Sequence, residues 1–330
     1  MANSPVSRRD CNPAGSRRVL CDVVRLVATI LIPAAAVAQA PSISEINFYG
    51  VRRVAATHIL DTLKLKPGDP LSASKAQMED AISEIPGVIL ARVEAVCCEG
   101  ATAVLFIGVE ERGAAHTAFR SPPEGSAVLP DNILELYSRL PASAEELTSY
   151  TAAHLNVVRE VLRKASGPEQ RAVAAALLGY APDKTAIIED LQYGLQDPDE
   201  SVRANAARSL GALAESEPPL APKIAPTWLV EMLNSIALSD RLEASKALLT
   251  LTEHSNPSAL SQLRERALDS LAEMARWKTP RYALGPYLLL GRVAGVSETE
   301  VHQRWEKGDR ESVIQKALGA PAGRKPRGLQ

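Results

Sequence analysis

Ser201-Val202-Arg203-Ala204-Asn205-Ala206-Ala207-Arg208-Ser209-Leu210-Gly211 is the stretch on which the fold turns. An earlier stretch, Gln170-Arg171-Ala172-Val173-Ala174-Ala175-Ala176-Leu177-Leu178-Gly179, keeps its register. Arg171 aligns with Arg203, Ala174 with Ala206, Ala175 with Ala207, Leu178 with Leu210 and Gly179 with Gly211, all at an offset of 32. A period of that size is the signature of stacked helical repeats. Two further stretches fit the register. In Ser239-Asp240-Arg241-Leu242-Glu243-Ala244-Ser245-Lys246-Ala247-Leu248, Arg241 takes the place of Arg203. In Gln262-Leu263-Arg264-Glu265-Arg266-Ala267-Leu268, Arg264 does. The spacings of 32, 38 and 23 are unequal, so the array is irregular.

The array is expected to run from Asp131 to about Leu318. Asp131 can cap a helix carrying Ile133, Leu134, Tyr137 and Leu140, and Ser143 with Glu146 forms a capping-box pattern for the next. Gly167-Pro168 opens the repeats proper, which pair a helix over 169–180 with one over 183–195. Small Ala206 and Ala207 allow a neighbouring helix to come close. Ser297 to Leu318, polar-rich with Val301, Trp305 and Ile314, suits the end of such a stack.

The run Leu195-Gln196-Asp197-Pro198-Asp199-Glu200-Ser201-Val202-Arg203 resembles a HEAT repeat. In that family an Asp and an Arg six residues later form polar ladders between units. The resemblance therefore assigns Asp197 and Arg203 to a structural ladder, with Arg171, Arg241 and Arg264 at the matching places. The competing reading of these arginines is a basic stripe for an anionic ligand. Trp228, Trp277 and Trp305 likewise read either as partner anchors or as core and end-of-array fillers.

Residues 39–111 read as a separate unit. Ile43-Ser44-Glu45-Ile46-Asn47-Phe48-Tyr49 alternates as a half-buried strand does, and Gly50 ends it. A helix follows over 54–63, then the turn Lys66-Pro67-Gly68-Asp69-Pro70-Leu71. Ser72 or Ser74 can cap a second helix bearing Met78, Ala81, Ile82 and Ile85. Val88–Val96 and Thr102–Val109 form a hairpin around Cys97-Cys98-Glu99-Gly100-Ala101. This β-α-α-β-β order, with Phe48-Tyr49-Gly50, the Gly-Asp-Pro-Leu turn and the closing Val109-Glu110-Glu111, resembles a POTRA domain. The resemblance implies a periplasmic, protein-binding module that takes a partner strand on the edge of strand 43–49, 88–96 or 102–109. No membrane-barrel pattern follows residue 111. The expected fold is thus multi-domain: a small α+β POTRA-like domain plus an all-α HEAT-like helical solenoid. Residues 112–130, with Gly113, Pro122, Pro123, Gly125 and Pro130, read as a linker, and 319–330 as a disordered basic tail.

Residues 1–38 read as a signal peptide. Arg8, Arg9, Arg17, Arg18 and Arg25 precede a 13-residue apolar run, Leu26 to Ala38, ending in Ala36-Val37-Ala38. That run is short of the ~20 residues a spanning helix needs, although an uncleaved anchor is the rival reading. These five arginines face only Asp10 and Asp22, so the formal −2 of the whole chain becomes −5 beyond residue 38. An acidic exported chain is poorly suited to nucleic acid.

Cys11 and Cys21 leave with the signal, and Cys97 and Cys98 remain. They form either a vicinal disulfide or one buried and one exposed thiol. Five scattered histidines, no His-Glu-x-x-His, no phosphate loop and no Gly-x-Ser-x-Gly imply no metal, no cofactor and no enzyme. The expected role is a cell-envelope adaptor for protein partners, in outer-membrane assembly or secretion. One alternative is a chaperone-like holder of β-strand clients. The other is a lyase, since some HEAT-like proteins are phycobilin lyases, and Cys97 and Cys98 would be its only candidate nucleophiles.

Overall fold

Alternation along the first strand decides what lies on each side of a small sheet. The computed structural model describes residues 40–99, 102–114, 117–138, 143–253 and 256–319. The proposed signal peptide, the tail beyond Gly319, and the side chains of Cys97 and Cys98 lie outside the described residues. The α/β part comprises β1 (Ser42–Tyr49), α1 (Ala56–Leu63), α2 (Lys75–Ser83), β2 (Val88–Glu99) and β3 (Thr102–Glu111). Strand order is β1-β3-β2, with β1 parallel and β2 antiparallel to the central β3. Ser74 and Gln77 make the capping box that starts α2.

Successive strand residues point to opposite faces. Ile43, Ile46, Ala91, Val93, Leu105, Ile107 and Val109 turn to one side, against Ile59 of α1 and Met78 and Ile82 of α2. Tyr49 and Phe106 turn to the other and join the core of the helical array. The sheet is covered on both sides, which accounts for the unbroken apolar run of β3.

Gly50 turns the chain out of β1 with φ of 74°, and a Cβ there would lie 2.2 Å from the Val109 carbonyl oxygen, so only glycine fits. The loop it opens is closed by Glu111, whose buried carboxylate accepts the backbone N–H groups of Arg52, Arg53 and Val54 at 2.8 to 3.0 Å. Burial pushes this carboxyl up, but the three N–H groups and the Arg53 charge prevail and hold it below its ordinary value. A lowered folded pKa gives stability that is present above the unfolded pKa and lost as the pH falls through the folded one. Glu111→Gln is therefore expected to cost about 2–3 kcal/mol at neutral pH and to cost progressively less in acid. Urea melts at several pH values check this, and a pH-independent loss would refute it.

The remainder is helical: α3 (Asp131–Ser138), α4 (Ala144–Lys164), α5 (Pro168–Leu178), α6 (Ile188–Gly194), α7 (Glu200–Ser216), α8 (Thr227–Met232), α9 (Leu238–Glu253), α10 (Pro257–Arg266), α11 (Leu268–Ala275), α12 (Pro280–Val293), α13 (Glu298–Glu306) and α14 (Arg310–Ala317). One layer stacks α4, α5, α7, α9 and α12 in sequence. Fully buried Ala174, Ala175, Ala206, Ala207 and Ala244 line the contacts between neighbours. The return halves are less regular. Residues 183–195, expected as one helix, form a 3-10 turn, Thr185–Ile187, before α6, because the Asp183 carboxylate holds the N–H groups of Thr185 and Ala186.

Within the tether expected over 112–130, residues 117–130 form a strap laid on the array. Arg120 donates its backbone N–H to Gln196 O and its Nη2 to Tyr193 O, with its guanidinium 3.2 Å above the Tyr193 ring. Phe119 lies under the Arg203 guanidinium, Ser166 donates to Gly125 O, and Leu129 is buried. Array side chains and carbonyls satisfy backbone groups that a free linker would leave to water. The described residues from Ala40 to Gly319 belong to one compact unit. No helix among the described residues is long and apolar enough to cross a membrane.

Candidate functional site

The site is assembled by the arginine register. Arg171, Arg203 and Arg241 are each the fourth residue of α5, α7 and α9. Arg171 grips Asp197 through Nε and Nη2 at 2.8 and 2.9 Å, and its Nη1 reaches the carbonyls of Ala165 and Ser166. Arg203 repeats the pattern on Asp240, with Nη1 on the carbonyls of Asp197 and Pro198. These heads are buried and paired, so they are rungs between units and not a solvent-facing stripe.

The third rung differs. Arg241 donates Nε to Ser235 O, but its Nη1 is 3.8 Å from Glu273 and has no hydrogen-bond acceptor. Glu273 is engaged elsewhere: it accepts the Gly50 N–H at 3.1 Å and pairs with Arg52. Burial pushes the Glu273 carboxyl up, opposed by Arg241, Arg52 and that N–H. The last carboxylate of the ladder thus holds the α/β module. The ladder stops there, since α12 has Ala283 as its fourth residue.

Arg264 does not belong to the ladder. It is the eighth residue of α10, in the return half of the third pair, and donates Nη2 to Val293 O. The match at spacing 23 fell on the wrong helix. A rung absent from the expected set, Asp190 with Arg159 and Arg163, lies one unit earlier.

Around Glu273 the sheet docks on the loop between α11 and α12. Trp277 is 3% exposed, donates Nε1 to Phe48 O at 2.9 Å, and meets Phe106 and Tyr49 edge-on at 5.0 and 6.1 Å. Tyr49 donates to Ile236 O, the Lys278 N–H to Asn47 Oδ1, and Thr279 to Glu45. Gly108 leaves room for Tyr49: a Cβ there would lie 2.3 Å from the ring.

A cavity of about 770 Å³ remains between the sheet, the strap and the array. Arg52, Arg53, Arg92, Arg112, Arg120, Arg203, Arg241 and Arg266 line it, with Glu110, Glu111, Asp199 and Glu200. Glu111 is spent on the β1 loop, and Asp199 caps α7. Burial, then Asp240 and Glu94, push the Glu200 carboxyl up.

Of the strand edges expected to take a partner, that of β1 is largely occupied. β3 is central. The start of β1 is bonded by the turn, through Ile43 N to Asp69 O and Gly68 N to Ile43 O, and its end by the Trp277 loop. On the β2 edge the Val93 N–H donates to Glu79 of α2, a side chain standing in for a strand.

Residues 155–244 match the family model of HEAT repeats. The matched stretch contains both complete rungs and Arg241, and it stops before the docking loop. No curated protein matches the chain. The matched stretch holds the ladder, and the sheet docks beyond it, on the loop between α11 and α12.

Proposed function

We propose that the chain is a non-enzymatic, exported adaptor of the cell envelope that holds protein partners between its α/β module and its HEAT array. The observation that carries this reading is the cavity at their junction. Trp277 and Glu273 fix the small α/β module, whose β-α-α-β-β element order resembles that of envelope POTRA domains, beside a helical array, a fold type that commonly holds proteins. Residues 1–38 support export, and a role in outer-membrane assembly or secretion is the process that fits both modules. Strand capture at β1 is disfavoured by its occupied edge.

Crosslinking of the full chain in intact cells, followed by mass spectrometry, tests this. The expected result is a chain starting at Gln39, with envelope proteins joined to residues around the cavity. A chain retaining residues 1–38 in the cytosolic fraction, with no crosslinked protein, would overturn it.

A further inference from the structure

The cavity between sheet and array has an unusual charge for its surroundings. Beyond residue 38 the chain is acidic, yet the described lining of this cavity holds eight arginines against four carboxylates, and of the eight Arg203 is already taken by Asp240. The arginines come from the loop after β1, from β2, from the strap, from α7 and α9, and from α10. Several keep their heads in water: the side chains of Arg52, Arg92 and Arg266 are 40, 44 and 49% exposed. The Arg266–Glu231 pair, and the looser approach of Arg92 to Glu79 at 3.8 Å, are of the kind that contribute little and exchange readily, whereas Arg52 is held by the largely buried Glu273. Arg112 is exposed beside them.

Deeper in the wall, Arg241 is the one buried guanidinium nitrogen, among the described residues, without an acceptor. In the two complete rungs every contacting nitrogen has an oxygen within 3.1 Å. The third rung is open because Gly50 and Arg52 hold its carboxylate. A buried cation with an unused donor is costly unless an anionic oxygen completes it.

We infer that this cavity binds an acidic segment of a protein partner, whose aspartate and glutamate carboxylates the surrounding arginines receive. The inference rests on the adaptor reading and names the chemistry of its partner. Arginine forks match carboxylates in the plane. Here they are spread over several elements instead of converging on one point, which suits a row of carboxylates better than a single phosphate. Phe119, Leu90 and Ile236 add apolar wall for the chain that carries them.

The test uses the full chain and a fluorescein-labelled peptide of alternating aspartate and glutamate, read by anisotropy. An asparagine–glutamine peptide of the same length is the control, and inorganic phosphate is the competitor. The acidic peptide is expected to bind, and less tightly as salt is raised, while the neutral peptide does not. Arg112→Glu and Arg266→Glu, both at exposed positions, are expected to melt like the parent and each to weaken binding about tenfold. Equal binding of the neutral peptide, unchanged affinity in both variants, or displacement by phosphate at peptide-like concentration would overturn the inference. Absence of acidic-peptide binding would also overturn it, yet leave the adaptor reading standing if envelope proteins still crosslink to the chain. Peptide binding without any crosslinked protein would instead count against the adaptor reading.

Discussion

Trp277→Ala is expected to free the α/β module from the array and to cost about 3–5 kcal/mol. The indole is buried between Phe106 and Tyr49, and its N–H satisfies Phe48 O. Removing it leaves a void at the centre of the docking surface and a carbonyl without its donor. The strap should then loosen, because it is anchored to the array at Arg120 and to the module through β3. Two measurements check this: the denaturation midpoint, and protease cleavage within residues 112–130. Trp277→Phe, which keeps most of the area and loses the N–H, should cost about 1–2 kcal/mol. An alanine variant that melts like the parent and resists cleavage would show that the module is not held by this contact.

The second large effect is expected at the ladder. Arg203→Met should cost about 3–5 kcal/mol, because it leaves Asp240 buried without its guanidinium. The same change removes the donors to Asp197 O and Pro198 O and the cation over Phe119. The double variant Arg203→Met, Asp240→Leu should recover much of the loss, since an apolar pair of similar bulk carries no stranded charge. Arg264→Ala, outside the ladder, should stay within about 0.5–1 kcal/mol of the parent. Urea midpoints at unchanged m-value are the readout. Equal losses for Arg203→Met and Arg264→Ala would remove the ladder from the account.

The contrast between Arg203 and Arg264 shows what the sequence carries and where it stops. Helix stacking was legible because it repeats a local register: an arginine in the first turn, small residues one turn on, and an apolar residue facing inward. Arg171, Arg203 and Arg241 obey that register as fourth residues of their helices. Arg264 matched only the residues around it, and it stands as the eighth residue of α10, past the first turn in which the ladder arginines sit. The β-α-α-β-β element order of the α/β part was legible from alternation and Gly50. The docking was not. Trp277 in isolation reads equally as core or as anchor, and Glu273 gives no sign that its partner is a backbone N–H more than two hundred residues earlier. The strap misled for a related reason. Proline and glycine signal the absence of helix and strand, not the absence of contacts, and Phe119, Arg120 and Leu129 supply those contacts.

The α/β module and the helical array form one body, joined where the ladder ends at Glu273. Hydrogen exchange of the Gly50 amide in the full chain tests it most directly, because that N–H is bonded across the junction to Glu273. The account predicts protection comparable to the Leu105 and Ile107 amides in the sheet core. Exchange of Gly50 at the rate of an open loop, while Leu105 and Ile107 stay protected, would contradict it.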